Sequence, residues 1–174
     1  MASTVNFKHI LDLLHEHQVA YIIVGGAAMV IQGSSYTTED FDVLYERSTS
    51  NCGRLAAALR EMNPRLRVEG IAEGLAAHLD ATAIRNGSSF TLTTDFGDFD
   101  ILGQIDGVGK YEDALQYVDR FELSDGRETQ VLSIEGLIVA KRGAGRPKDL
   151  AALPELEAMR ELGDSEDRRK NRRS

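Results

Sequence analysis

Tyr21-Ile22-Ile23-Val24-Gly25-Gly26, followed by Thr38-Glu39-Asp40-Phe41-Asp42-Val43-Leu44, decides how this chain is read. The apolar run before the glycine pair predicts a buried strand, and acids alternating with apolar residues from Asp40 predict a second one. A strand sends residues i and i+2 to one face, so Asp40 and Asp42 project side by side. Two like charges so placed need a cation between them, and carboxylate and phosphate oxygens are the usual ligands of Mg²⁺ (or Mn²⁺). Without Cβ atoms, Gly25 and Gly26 let backbone N–H groups approach a phosphate. The helix expected from Ala27 aims its positive end at the same place. The pattern asks for a nucleoside triphosphate bound through metal.

Composition narrows the class. At 174 residues, 42% hydrophobic and 28% charged, the chain can bury the core of one domain. No apolar stretch approaches the length of a membrane span, and the N-terminus lacks the layout of a signal peptide, so a cytoplasmic protein without membrane association is expected. Cys52 is alone, which excludes an internal disulfide, and it reads as a small residue early in a helix. A formal net charge of −8 argues against a long nucleic-acid partner. Arg168-Arg169-Lys170-Asn171-Arg172-Arg173-Ser174 reverses that sign locally, and two readings stay open for it: a solvated tail, or a contact with nucleic acid or an acidic partner.

Along the chain, Phe7, Ile10, Leu11 and Leu14 predict a first helix ending near His17, and a helix from Ala27 to about Gln32 follows the first strand. Ser48-Thr49-Ser50-Asn51 offers caps to a helix with the stripe Leu55, Ala58, Leu59 and Met62, stopped by Asn63-Pro64. Residues 71–84 are ambiguous, because Gly70 and Gly74 weaken a helix that residues 75–79 favour. Residues 89–94 and 99–102 predict two strands joined by a turn at Asp95-Phe96-Gly97-Asp98. Past the glycine-rich loop Asp106-Gly107-Val108-Gly109 come a short helix, strands near Phe121 and Val131, and a helix from Ile134 capped by Ser133. The last helix follows Pro147 and is expected to end at Gly163, giving one domain over residues 1–163 and a charged, disordered tail over 164–174.

Gly25-Gly26, then Asp40-x-Asp42, then a later acid on another strand resembles the DNA polymerase β-like nucleotidyltransferase superfamily. Within it the chain is most similar to small bacterial proteins related to the AbiEii-type nucleotidyltransferases of type IV toxin–antitoxin systems. Leu132-Ser133-Ile134-Glu135-Gly136-Leu137-Ile138-Val139-Ala140-Lys141-Arg142 with Arg146-Pro147-Lys148-Asp149 is similar to their C-terminal helical motif. The resemblance implies an α+β (α/β-like) protein, a mixed β-sheet of the nucleotidyltransferase fold flanked by helices and completed by C-terminal helices. It further implies that Asp40 and Asp42 hold two Mg²⁺ ions on an NTP, and that a third acid binds the catalytic metal and helps a hydroxyl lose its proton. Gly97-Asp98-Phe99-Asp100-Ile101-Leu102 favours Asp100 for that role, with Asp98 left as the alternative. Lys141 matches the helix lysine that reaches the triphosphate, helped by Arg146 and Lys148, although a half-buried helix lysine also snorkels for ordinary reasons. Asp149 reads as a first-turn acid facing the helix dipole.

Two positions depart from the family pattern. Ala27 stands where many relatives have Ser, and Tyr36 where they often have Arg; Ser34, Ser35 or Thr38 supply nearby hydroxyls that compensate. The expected activity is transfer of an NMP to a hydroxyl of a tRNA, a protein or a small molecule, as in a toxin with a cognate antitoxin protein. The rival is a non-catalytic, nucleotide-binding regulatory or antitoxin-like protein on the same fold. The histidines, His9, His15, His17 and His78, show no ligand spacing and receive no catalytic role.

Overall fold

Tyr21–Val24 forms strand β1, buried at all four positions, and the rest of the sheet is laid out around it. The computed structural model describes the backbone of residues 6–171 and the side chains of residues 6–167. Helix α1 (Phe7–Glu16) starts on Asn6, whose side chain accepts the His9 N–H, and it buries Ile10, Leu13 and Leu14. After β1 come α2 (Gly25–Ile31), β2 (Asp40–Tyr45) and α3 (Thr49–Glu61), the last capped by the Ser48 side chain. Strands β3 (Arg65–Val68) and β4 (Ile71–Ala76), helix α4 (Ala81–Asn86), and strands β5 (Ser89–Thr94) and β6 (Gly97–Leu102) follow. The chain closes with α5 (Tyr111–Ala114), a single 3₁₀ turn, β7 (Val118–Glu122), β8 (Glu128–Leu132), α6 (Ile134–Ala144) and α7 (Pro147–Asn171). No helix among the described residues is long and apolar enough to cross a membrane.

All eight strands form one mixed sheet in the order β4-β3-β5-β6-β2-β1-β8-β7. β2 runs parallel to β6 and β1 parallel to β8, whereas β1 and β2 are antiparallel. The core-facing residues of the central strands are apolar: Phe41 lies between Phe7 and Phe99, with ring centroids 5.1 and 5.8 Å away. Burying Phe41 and Phe99 completely contributes about 1.5–3 kcal/mol each. Asn51 is the polar tie of this region. It is fully buried, its Oδ1 accepts the Ala20 N–H at 2.7 Å, and its Nδ2 donates to the carbonyls of Ala20 and Glu46 at 3.0 and 2.7 Å. Those bonds close the loop between α1 and β1 onto the start of α3.

One ambiguity is resolved and one expectation is corrected. The ambiguous stretch 71–84 is not one helix but strand β4, a short connection and α4, with Arg65–Val68 as its partner strand. Strand pairing overrides the helical pattern of residues 75–79, and Gly74 makes the pairing possible: at φ +68°, a Cβ there would meet the Leu66 carbonyl oxygen at 2.7 Å. Helix α7 also continues through Gly163 to Asn171. A glycine weakens a helix interior by about 1 kcal/mol but ends it only where the chain turns left-handed. The basic run 168–174 lies outside the residues whose side chains are described.

Replacing Asn51 with Ala would leave the Ala20 N–H and the Glu46 carbonyl without their Asn51 partner in a part-buried site, while the Ala20 carbonyl keeps the Glu46 N–H. Loss of about 2–3 kcal/mol is expected, read as a lower urea midpoint with an unchanged slope; a loss below half of that would show that water takes over the bonds.

Candidate functional site

β2 and β6 are parallel neighbours in matched register, so Asp40 stands opposite Asp98, Phe41 opposite Phe99, and Asp42 opposite Asp100. Alternation sorts the side chains: Phe41, Val43, Phe99 and Ile101 enter the core, and the four acids share the other face. The register thus sets Asp100 against Asp42 and Asp98 one step away against Asp40. On the other side of β2, Val24 pairs with Asp42, and the chain turns from β1 straight into α2 beside that carboxyl. At Gly25, with φ +61°, a Cβ would lie 2.2 Å from Asp42 Oδ2; at Gly26 it would lie 2.7 Å from Thr38 Oγ1. Only glycines allow this approach. Val24 gives α2 no side-chain cap, so its leading N–H groups have no side-chain partner there.

A cavity of about 230 Å³ opens at this corner, lined by Val24, Gly25, Gly26, Tyr36, Thr38, Asp40 and Asp42 from the sheet side and by Lys141, Arg146, Lys148 and Asp149 from α6, α7 and the turn that joins them. Thr38 donates to the Asp40 carbonyl at 2.9 Å and fixes the entry to β2. Ser34 and Ser35 are not among the lining residues. Ser35 donates from both its N–H and its hydroxyl to Glu155 on α7, at 2.7 and 2.9 Å, and Ser34 accepts the Tyr36 N–H. The four histidines also stand away from the cavity lining; His17 contacts Glu61 and His15 bonds backbone carbonyls.

Lys141 does not snorkel into open water. Its Nζ lies 2.9 Å from Asp149, which is 1% exposed and also accepts from Arg146 Nε at 2.5 Å. Burial works against the Asp149 charge, yet the bonds from Arg146 and Lys141 hold its carboxyl below the usual carboxylate range. Asp149 does sit in the first turn of α7, as the sequence predicts, and in addition it is the counter-ion that holds two cations at the cavity wall.

On the sheet side the balance is reversed. Burial pushes the Asp42 carboxyl up to about 7, reinforced by Asp100 and Asp40 and opposed by Arg67 and Lys141. Burial likewise raises Asp100 to about 6, against the pull of Arg67 and the Leu92 N–H. Arg67 is the residue that sequence reasoning missed. Its guanidinium reaches Asp40 at 3.3 Å, Asp98 at 2.7 Å and Asp100 at 2.5 Å. The signal was present in Arg65-Leu66-Arg67-Val68, which alternates with period two ahead of the turn residues Glu69-Gly70.

Asp40, Asp42 and Asp100 offer hard carboxylate oxygens, and among the described residues no cation is bonded to the half-buried Asp42, so the donor set suits Mg²⁺ or Mn²⁺. Among the described residues, however, no three His, Cys, Asp or Glu side chains are gathered as a ready-made metal centre. The cation that Asp40, Asp98 and Asp100 share is Arg67.

No protein-family model matches this chain, and no curated protein matches it. Solved structures do. The solution structure of the antibiotic-resistance factor ANT(2″)-Ia aligns over 95% of this chain and 93% of its own at 16% identity, with a TM-score of 0.52. The crystal structure of ANT(2″)-Ia in complex with adenylyl-2″-tobramycin aligns over 91% and 95%, also at 16% identity and a TM-score of 0.52. A candidate nucleotidyltransferase from Thermotoga maritima covers 91% of this chain and 90% of its own at 16% identity, with a TM-score of 0.47. The mixed sheet with its flanking helices is the nucleotidyltransferase fold.

Raised carboxyl pKa values have a signed consequence. Folded Asp42 and Asp100 keep protons that the unfolded chain, titrating near 3.8, has released. Their stabilisation is full below about pH 4 and is lost as pH rises through about 6 to 7. Melting in chelator should therefore show falling stability from pH 5 to 8, and Asp42→Asn should flatten that fall and melt no lower than wild type at pH 8. A variant with the wild-type slope would show that Asp42 is ionised in the folded protein throughout.

Proposed function

We propose that this protein is a Mg²⁺- or Mn²⁺-dependent nucleotidyltransferase that moves an NMP from an NTP to a hydroxyl of an acceptor. The observation that carries this is the matched register of Asp42 with Asp100, beside a glycine turn on which Asp42 rests. In this reading Asp40, Asp42 and Asp100 hold the metal, which when bound neutralises triphosphate charge and acidifies the attacking hydroxyl. The chain's own groups do the rest. Backbone N–H groups at Gly25 and Gly26 receive phosphate oxygens, and Thr38 closes that side of the pocket. Lys141, Arg146 and Lys148 set positive charge on the opposite wall, with Asp149 fixing the first two in place. In this reading Asp100 would also lie beside the acceptor hydroxyl and help it lose its proton.

A small-molecule acceptor is favoured over a tRNA or a protein. The net charge of −8 and the acid face oppose a long polyanion, and the fold likeness includes a protein holding an adenylylated small molecule, tobramycin. A toxin role with a cognate antitoxin rests on the sequence resemblance alone, and a cytoplasmic setting on the composition alone. One observation favours the second reading, a non-catalytic nucleotide-binding protein: Arg67 already neutralises Asp40 and Asp100.

Incubation with each labelled NTP, Mg²⁺ or Mn²⁺, and a small-molecule extract, total tRNA or total protein should move label to an acceptor from the small-molecule fraction. Asp42→Asn should lower transfer by about two orders of magnitude or more while the fold survives. Transfer by the variant at the wild-type rate, or none from any NTP while NTP still raises the melting temperature, would replace the enzyme with the binding protein.

A further inference from the structure

Arg67 sits where two strands lose their pairing. β3 pairs with β5 at Arg65 and Leu66 and with β4 at Arg65, Leu66 and Val68, and the register shifts between Leu66 and Val68. Arg67 is the residue at that irregularity. A bulge of this kind bends a strand and re-aims its side chain, and here the guanidinium is sent across β5 to the acids of β6 and β2. Beyond Leu66 the β3–β4 hairpin leaves β5 and ends as a short arm, made of Arg67, the Val68–Ile71 pair and the turn between them, and β4 is exposed at five of its six positions.

The far end of the contact is as specific as the near end. Asp98 is not needed in the set Asp40, Asp42 and Asp100, yet it makes a 2.7 Å bond to Arg67 while Thr93 Oγ1 donates to its other oxygen at 2.9 Å. Asp98 thus serves as a dedicated seat for the guanidinium. From that seat Arg67 takes Asp40 Oδ1 and Asp100 Oδ1, lone pairs and charge that a divalent cation bound to the same carboxylates would need.

We infer that Arg67 is a built-in counter-cation that closes the carboxylate face to metal, and that loading of the site requires the β3–β4 arm to withdraw it. The metal-free protein gains a neutralised face, and the apparent metal affinity is reduced by the fraction of molecules in which Arg67 is seated. This rests on the reading that Asp40, Asp42 and Asp100 bind metal.

Arg67→Lys and Arg67→Gln separate the possibilities in a titration with Mn²⁺ alone, followed by calorimetry or by the loss of the free-ion paramagnetic signal. Lys keeps the charge but lacks the planar fork that reaches three carboxylates; Gln removes both. Both variants should bind Mn²⁺ at least about tenfold more tightly than wild type, as for a site that is open roughly a tenth of the time. Both should melt lower than wild type in chelator and recover with Mn²⁺. Tightening by Gln but not by Lys would reduce Arg67 to a simple electrostatic field and overturn the inference, as would wild-type or weaker binding by both. Should the Gln variant fail to fold, the Lys variant decides alone. Absence of Mn²⁺ binding in all three proteins would bring down the metal reading itself, and the inference with it.

Discussion

The parallel pairing of β2 with β6 is the constraint on which the rest of the site depends. Two strands from distant parts of the chain are set side by side with Phe41 on Phe99 in the core, and the same register forces Asp42 against Asp100 on the opposite face. Packing fixes the register because a slip of one residue would bury the acids and expose the aromatic rings. The hydrophobic core therefore enforces an electrostatic arrangement that would not form by itself. The repulsion and burial appear directly in the raised pKa values of Asp42 and Asp100.

That arrangement is balanced from two directions. On α6 and α7 a buried Asp149 gathers Lys141 and Arg146 and sets positive charge across the cavity from Asp42. On β3, Arg67 meets three of the four acids. The two sets differ in kind. Asp149 pairs with its cations within the wall. Arg67 reaches from β3 to acids on β6 and β2, strands with which β3 does not pair. Asp42, between them, is the acid that burial, Asp100 and Asp40 push furthest up.

Much of this was legible in the sequence. The strand Tyr21–Val24, the alternation from Asp40, the caps at Ser48 and Ser133, and the hairpin around Asp95-Phe96 all follow from local period and turn chemistry. The stretch 71–84 was not, because the leucines and alanines there carry a helical pattern that pairing with Arg65–Val68 overrides. That ambiguity hid Arg67. Ser34 and Ser35 looked available to phosphate because the sequence does not reveal that α7 brings Glu155 beside them.

The sequence by itself determined the chemistry on offer: which strands alternate, that Asp40 and Asp42 share a face, that Gly25-Gly26 leave backbone room beside them, and that Lys141 lies on an apolar helix. Such features are written into a few adjacent residues through the periods of strand and helix. The tertiary structure decided partnership: that Asp100 rather than Asp98 faces Asp42, that Asp149 is the counter-ion of Lys141, and that Arg67 crosses from another strand to the acids. Those choices depend on pairing and register between segments far apart in the chain, which the packing of the whole core selects and no short window of sequence contains.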